Sequence, residues 1–159
     1  HLSIRRQRQM CIRDRDAMFF PNEKNVDRLI QYLNKATRSI NICVFTMTND
    51  KLSNAVKAAA IRGIAVRIIS DDECMKQKGS DVHWLSEQNI PVRVDDRPDA
   101  HMHNKFMVID DLIVITGSFN WTVTAVNANQ ENLIVVDNPY YINRYNQEFE
   151  KLWLQFAHM

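Results

Sequence analysis

Apolar and polar residues alternate along this chain with two periods, one typical of strands and the other of helices. Short apolar runs predict strands, and apolar residues recurring at every third or fourth position between them predict helices. The predicted strands cover residues 17–20, 39–46, 64–69, 91–94, 106–110, 112–116 and 131–137. The predicted helices lie around residues 26–33, 52–60, 79–89 and 142–156. Gly63 is placed to end the second helix, and residues 70–78 are expected to form a loop.

This order of elements predicts an α/β fold. Alternating strands and helices with largely apolar strands favour a mixed, largely buried β-sheet flanked by helices on both faces. A chain of 159 residues is long enough for one domain with a substantial core, which we place at residues 16–157.

The first fifteen residues differ from the rest in composition. HLSIRRQRQMCIRDR has no apolar period and no helix cap, and it joins a well-patterned segment abruptly. We expect residues 1–15 to be a non-native or disordered leader and the natural N-terminus to be missing. No apolar run approaches the roughly 18 residues of a membrane span, so membrane association would need an anchor in the missing part.

Charge is unevenly distributed along the chain. The formal net charge is +1, but residues 1–15 contain five arginines and one aspartate. The remaining residues therefore hold 15 of the 20 basic and 18 of the 19 acidic side chains, which makes them slightly acidic. This slightly acidic net charge does not predict a general nucleic-acid-binding surface, so any binding of a polyanion has to depend on a local basic site.

One segment, HMHNKFMVIDDLIVITGSFN at residues 101–120, concentrates the candidate chemistry. His103 and Lys105 are two residues apart, so both face the same side of an extended strand. Two β-branched strands joined by a tight turn then return Gly117, Ser118 and Asn120 to the neighbourhood of His103. An imidazole, an ammonium, a hydroxyl and a carboxamide beside a glycine predict a phosphate site.

The pattern H-x-K-x(4)-D-x(6)-G-S-x-N closely resembles the HKD motif of the phospholipase D superfamily. The similarity extends over about residues 16 to 157 and is greatest to the single-motif branch, which contains bacterial endonucleases and the mitochondrial cardiolipin hydrolase (Zucchini) group. GSFNWT at 117–122 and EFEKLW at 148–153 are similar to the latter group. The resemblance implies a phospholipase D-like fold and a metal-independent phosphodiesterase without cofactor. The substrate would be cardiolipin or single-stranded nucleic acid.

Two departures from that group are visible in the sequence. Many animal members carry a Cys/His zinc-binding insert after the first strand, whereas here FFPNEKNVDRLI passes directly into the helix. The N-terminal membrane anchor expected of the group is also not found in this sequence. We expect the mitochondrial outer membrane as the location if the closer resemblance holds, and otherwise a soluble protein.

A phosphodiesterase without metal needs a nucleophile and a separate acid for the leaving oxygen. The chain contains one H-x-K only, at His103. The resemblance therefore implies a homodimer with a shared active site, in which one His103 attacks phosphorus and its mate is the general acid. Lys105, Asn120 and Ser118 would bind the phosphoryl oxygens, and Gly117 would let the backbone approach them.

Two carboxylates complete the expected catalytic set. Glu131, at the head of a predicted strand, is the candidate to hold the second ring nitrogen of His103 and so fix its tautomer. The single-motif branch has a glutamate in the corresponding place. Asp110 ends a strand in a turn position, which favours a structural role over a catalytic one, and the family gives it a similar supporting role.

Several alternatives remain open from the residues themselves. His101 and His103 could form a metal pair completed by Asp99, Asp110 or Glu131, which would make a metal-dependent nuclease. The chain could also be an inactive phosphate-binding module. A rim of possible substrate contacts, with surface or core packing as the alternative for each, comprises His101, Trp121, Lys76, Lys78 and Arg97.

Overall fold

The protein is described here by a computed structural model covering residues 15–158. The predicted leader at residues 1–15 lies outside the described residues except for Arg15. The described strands are β1 Asp16–Phe20, β2 Ser39–Val44, β3 Ala65–Ser70, β4 Val92–Val94, β5 Lys105–Ile109, β6 Ile113–Gly117, β7 Glu131–Val136 and β8 Ala157–His158. The described helices are α1 Glu23–Lys35, α2 Asp50–Ile61, α3 Asp72–Lys76, α4 Asp81–Glu87, α5 Val123–Asn127 and α6 Pro139–Gln155.

All of these strands belong to one sheet, in the order β1-β7-β6-β5-β2-β3-β4-β8. Strands β2, β3 and β4 run parallel to one another, while the other neighbouring pairs are antiparallel. The predicted mixed sheet is therefore confirmed.

Apolar side chains of the sheet bury against helices on both faces. Alternate strand residues such as Ile42 and Ile68 join Leu29 of α1 and Leu52 of α2 in the larger cluster. Strand residues that point to the other face, such as Cys43 and Val108, pack with the long helix α6 in the second cluster. This two-sided burial explains why the central strands are apolar throughout, and it confirms the predicted α/β architecture.

The segment after β3 corrects the sequence prediction of a loop, because it contains helix α3. Asp71 is its N-cap, and its Oδ1 accepts hydrogen bonds from the backbone N–H groups of Glu73 and Cys74 at 3.1 Å each. Five residues are too few to display a helical period, so the pattern missed the helix. Among the described residues, no helix has the length and apolar character needed to cross a membrane.

Candidate active site

One edge of the sheet collects most of the polar residues of the motif. The carboxyl ends of β2, β3, β4 and β6 meet the amino ends of β5 and β7 there, because the latter two run antiparallel to their neighbours. His103 precedes β5, and Gly117 and Ser118 lie at the end of β6. Ligand sites in open α/β sheets lie outside the carboxyl ends of parallel strands, so this edge is where a site is expected.

An open pocket of about 380 Å³ lies at this edge. It is lined by His103, Asn104, Lys105, Phe106, Thr116, Gly117, Ser118 and Tyr145. The structure thus brings four of the predicted residues together, namely His103, Lys105, Gly117 and Ser118. Asn104, Phe106, Thr116 and Tyr145 were not identified from the sequence, because a strand pattern does not show which side chains border a concavity.

His103 and Lys105 are in direct contact. Lys105 Nζ lies 3.1 Å from Nδ1 and 3.4 Å from Nε2 of His103, and it donates a hydrogen bond to the His103 carbonyl oxygen at 2.8 Å. An ammonium group has donors only, so the ring nitrogen facing it carries a lone pair. The pair is arranged as a neutral imidazole beside a fixed cation.

The local environment favours that protonation state. Burial lowers the pKa of His103, and the charges of Lys105 and His101 lower it further. Burial also lowers the pKa of Lys105, although Glu131 opposes the change. Because the ordinary pKa of histidine is already near 6.5, a lowered pKa leaves His103 unprotonated at neutral pH, as a nucleophile requires.

Phe45, directly after β2, supports this group of side chains and was missed by the sequence analysis. Its ring centroid lies 4.6 Å from that of His103 and 5.7 Å from that of His101. Lys105 Nζ is 5.4 Å from the same centroid, within range of a cation–π contact. An aromatic residue immediately after the carboxyl end of a central strand was the signal that could have identified it.

Ser118 and Glu131 form a hydrogen-bonded pair, which corrects the expected contact between Glu131 and His103. Ser118 Oγ donates to Glu131 Oε2 and accepts from the backbone N–H of Asn132 at 3.1 Å. Asn129 Nδ2 donates to the other carboxylate oxygen at 3.3 Å. Since β6 and β7 are adjacent strands, Glu131 reaches the end of β6 before it reaches the histidine of its own chain.

Gly117 is needed for the packing of two strands, a requirement that the sequence analysis did not identify. A Cβ atom at this position would lie 2.0 Å from the carbonyl oxygen of Asn132 and 3.0 Å from Leu133 Cα. Real Cβ atoms do not approach backbone so closely, so only glycine allows β6 and β7 to meet here.

Asn120 and Trp121 lie beyond Ser118, and neither lines the pocket. Trp121 is 5% exposed and is fixed between the backbone groups of Thr46 and Thr48, so the proposed rim contact is wrong. The side-chain Oδ1 of Asn120 is buried and has no hydrogen-bond partner among the described residues.

Asp110 lies at the opposite end of β5 from His103, so its place in the catalytic set is corrected to a purely structural one. Its carboxylate accepts hydrogen bonds from the backbone N–H groups of Thr37, Arg38 and Ser39 at 2.7–2.9 Å and from Thr37 Oγ1 at 3.1 Å. The residue stands in the β5–β6 turn with φ of 56°, a conformation that aspartate tolerates well. It ties this turn to the start of β2.

His101 is held by a buried carboxylate. Its Nδ1 lies 3.0 Å from Oδ2 of Asp71, which is fully buried, while the His101 side chain is 49% exposed. The hydrogen bond to Asp71 raises the pKa of His101, so the ring favours its charged form. Asp95, also buried, accepts a hydrogen bond from the backbone N–H of Met102 at 3.1 Å. Both aspartates directly follow the carboxyl ends of parallel strands, a signal that the sequence analysis did not use.

The basic rim predicted from the sequence is not formed in the structure, because two of its basic side chains pair with neighbouring carboxylates. Lys76 pairs with Asp72 at 2.6 Å and Arg97 pairs with Asp99 at 3.2 Å, both on the surface. Lys78 is exposed.

The metal ligand set considered above does not form either. Of its three candidate carboxylates, Glu131 binds Ser118, Asp110 lies at the far turn and Asp99 pairs with Arg97. A different group of ligand atoms, from Asp71, Glu73 and His101, lies within 4.8 Å of one another.

A larger surface concavity of about 670 Å³ lies elsewhere, between α2, β3 and the segment before β4. Its lining is mainly apolar, with Lys57 and Arg67 as its charged members. Volume alone therefore does not locate the chemistry, and the reactive groups place the candidate active site at the smaller pocket.

The comparisons with known proteins identify the family of the chain. Residues 29–153 match the family model described as "Cardiolipin synthase, PLD-like domain". A mitochondrial cardiolipin hydrolase of Chlamydomonas reinhardtii is 45% identical over 132 residues, which are 83% of this chain and 59% of the relative. The mitochondrial cardiolipin hydrolase of Homo sapiens is 36% identical over 134 residues, covering 84% of this chain and 53% of that protein. The chain thus spans little more than half of the length of these curated relatives.

Two solved structures share the fold over nearly the whole chain. Nuc from Salmonella typhimurium, described as a phospholipase D family member, superposes with a TM-score of 0.83 at 26% identity, covering 91% of this chain and 97% of Nuc. NucT from Helicobacter pylori gives a TM-score of 0.79 at 25% identity, covering 91% and 99%. The match of the family model, the identity to the curated relatives and the shared fold together show that this chain belongs to the phospholipase D superfamily, as a member with a PLD-like domain.

Proposed function

We propose that this protein is a metal-independent phosphodiesterase in which His103 is the nucleophile. The observation that carries the proposal is the contact between His103 and Lys105 at an open sheet edge that also presents Ser118. Membership of the phospholipase D superfamily supports the same reaction class. The catalytic unit would be residues 16–157, a single PLD-like domain.

The reaction would proceed in two displacements at phosphorus. A ring nitrogen of His103 forms a bond to phosphorus while the bond to the leaving oxygen breaks and that oxygen takes a proton from an acid. Water then attacks the phosphohistidine and gives a proton to the base that the acid has become, while the bond between phosphorus and the imidazole breaks, so both groups return to their starting states. Lys105 would stabilise the charge that develops on the phosphoryl oxygens. Ser118 would become a further donor once its hydroxyl turns from Glu131 to the substrate, and Asn120 would need to turn its amide toward the pocket.

We further propose a homodimer with a shared site, since one His103 cannot be nucleophile and acid at the same time. Two observations support it: the pocket is open to solvent at this edge, and Glu131 binds Ser118 and leaves a ring nitrogen of His103 to be oriented from elsewhere. A second protomer placed against this edge would supply the acid and close the site.

The substrate would be single-stranded nucleic acid or cardiolipin. The names of the curated relatives support cardiolipin and a mitochondrial location, which would require an anchor outside the residues described. The fold shared with Nuc is the basis for a second candidate, a non-specific endonuclease of the bacterial type.

The first experiment is cleavage of labelled single-stranded RNA, single-stranded DNA and cardiolipin vesicles in EDTA by the wild type and by His103→Ala. We expect the wild type to cleave at least one of them and the variant to cleave none. Loss of wild-type activity in EDTA would refute the metal-free mechanism, and equal activity of both proteins would refute the role of His103.

The dimer is tested by mixing. Wild type and His103→Ala, refolded together in equal amounts, should give about a quarter of the activity of the same total of wild type, because only wild-type pairs have both histidines. Independent sites would give about half, and would refute the shared site.

A further inference from the structure

Next to the proposed catalytic pair, the structure has a second imidazole whose position is fixed by buried groups. His101 has one nitrogen bound to Asp71, a carboxylate with no exposed surface, and its side chain is 49% exposed. The other oxygen of Asp71 is occupied by the backbone N–H groups of α3, so the carboxylate cannot rotate away from the histidine. Because Asp71 is buried and both of its oxygens are bonded, the His101 ring is held in one orientation. Its other ring nitrogen can then donate a hydrogen bond at the surface.

The backbone of the segment that carries both histidines is held in place by a hydrogen bond to a buried carboxylate. Asp95 accepts one hydrogen bond from the backbone N–H of Met102, the residue between them, and another from that of Asp72, both at 3.1 Å. Both imidazoles contact the ring of Phe45, so they lie on the same side of the sheet edge. Two residues of extended chain span at most about 7 Å, so the two rings are close neighbours.

On these observations we propose that His101, oriented by Asp71, is a subsite for a second phosphate on the substrate, adjacent to the phosphate attacked by His103. This inference rests on the proposed function, because it takes His103 as the reacting group. The free ring nitrogen of His101 donates a charge-assisted hydrogen bond to a non-bridging oxygen of the neighbouring phosphate.

The proposal defines a substrate chemistry that the two candidate substrates share. In a nucleic-acid strand, successive phosphates are joined through the oxygen and three carbon atoms of one sugar and then a second oxygen. In cardiolipin, the two phosphates are joined through the oxygens and three carbons of one glycerol. A site for two phosphates across a three-carbon bridge therefore accepts either class, and it favours both over a diester with a single phosphate.

Binding in EDTA tests the subsite without requiring turnover. The probes are thymidine 3′,5′-bisphosphate and glycerol 1,3-bisphosphate, each compared with its monophosphate by calorimetry on the wild type, His101→Gln and the control His83→Gln. Glutamine keeps a donor for Asp71 but no charge, and His83 is an exposed histidine on α4 paired with Glu87. EDTA removes any cation bridged by Asp71, Glu73 and His101.

We expect the wild type to bind at least one bisphosphate more tightly than its monophosphate, and His101→Gln to lose about tenfold of that preference, the scale of one charge-assisted hydrogen bond. The His83→Gln variant should keep it. Enhancement with the thymidine pair alone would mark a nucleic-acid strand as the source of the second phosphate, and enhancement with the glycerol pair alone would mark cardiolipin. Equal preference in the wild type and His101→Gln would overturn the subsite.

A failure of the subsite can be told apart from a failure of the proposed function. If cleavage depends on His103 but the preference for bisphosphates does not depend on His101, only the subsite is refuted. If His101 governs bisphosphate binding but no substrate is cleaved, the phosphodiesterase proposal fails and the two-phosphate site stands as a binding site.

Discussion

The two ends of the β5–β6 hairpin come from the same motif, yet they differ in how their polar groups are satisfied. At the turn, the carboxylate of Asp110 accepts four hydrogen bonds and is 6% exposed. At the other end, His103 and Ser118 are exposed, and the partner of His103 is a cation. A polar side chain stabilises the fold when its hydrogen bonds are made within the protein. A polar side chain that acts on a substrate needs hydrogen-bonding capacity that the fold has not used. The motif therefore contains a structural end and a reactive end.

The strongest test of this division is His103→Ala at the reactive end. We expect cleavage to fall by at least about 10³–10⁴-fold, which corresponds to about 4–5.5 kcal/mol of transition-state stabilisation. The free energy of unfolding should change by less than about 0.5 kcal/mol, because the side chain is exposed. Cleavage rates and urea unfolding measure the two effects, and a large loss of stability would contradict the division.

Asp110→Asn tests the structural end. Losing the anionic acceptor of four hydrogen bonds should cost about 2–4 kcal/mol of unfolding free energy, while the folded fraction keeps its activity. Asp111→Asn is the matched control, since Asp111 shares the turn and a positive φ of 55° but is exposed.

Acid stability provides a check on the same residue. Burial alone would raise the pKa of Asp110, but the hydrogen bonds from Ser39, Thr37 and Arg38 outweigh it, so the pKa is lowered. The stability that it contributes is therefore present above the unfolded-state pKa of about 3.9 and is lost as the pH falls through the lower folded-state value. In Asp110→Asn, the part of the decrease in unfolding free energy at acid pH that comes from this carboxylate should be absent.

Gly117→Ala tests the packing of the two strands beside the reactive end. The added Cβ meets the backbone of Asn132, so β6 and β7 must separate, at a cost of about 1–3 kcal/mol. Ser118 and Glu131 would shift as well, and cleavage should fall together with stability. Gly63→Ala is a useful comparison, because a Cβ there meets open space and adds only the strain of a positive φ. Equal effects of the two variants would refute the steric argument.

The pH profile should show the lowered pKa of His103 directly. In the proposed mechanism the attacking ring is neutral and its mate is protonated, so the acid limb of kcat/KM is expected below the ordinary value of about 6.5 and the alkaline limb would belong to the acid. Lys105→Met removes one of the causes of the lowered pKa and should move the acid limb upward, in addition to reducing the rate. NMR titration of His103 checks the assignment, and a limb that stays in place would contradict the electrostatic role of Lys105.

The smallest effect is expected for Lys76→Ala. Lys76 is exposed and its contact is with Asp72, so kcat/KM should change by less than about twofold. A larger decrease, measured at low and high salt, would restore Lys76 to the substrate rim.

The sequence alone determined the fold class and singled out the candidate reacting residues. The β-branched runs of β5 and β6, the helical period of α1 and the adjacent His103 and Lys105 are local patterns, and local patterns follow from backbone geometry. The glycine requirement at 117 could also be predicted, although its reason could not, because the close neighbour comes from β7.

Only the tertiary structure decided which partners the polar groups have. It placed Glu131 on Ser118, buried Trp121 against the end of β2, and brought Asp71 to His101 across 30 residues of sequence. Each of these contacts depends on which strand ends lie side by side in the sheet. The order of strands in a sheet is set by the burial of both its faces at once, and a linear pattern of residues contains no record of that order.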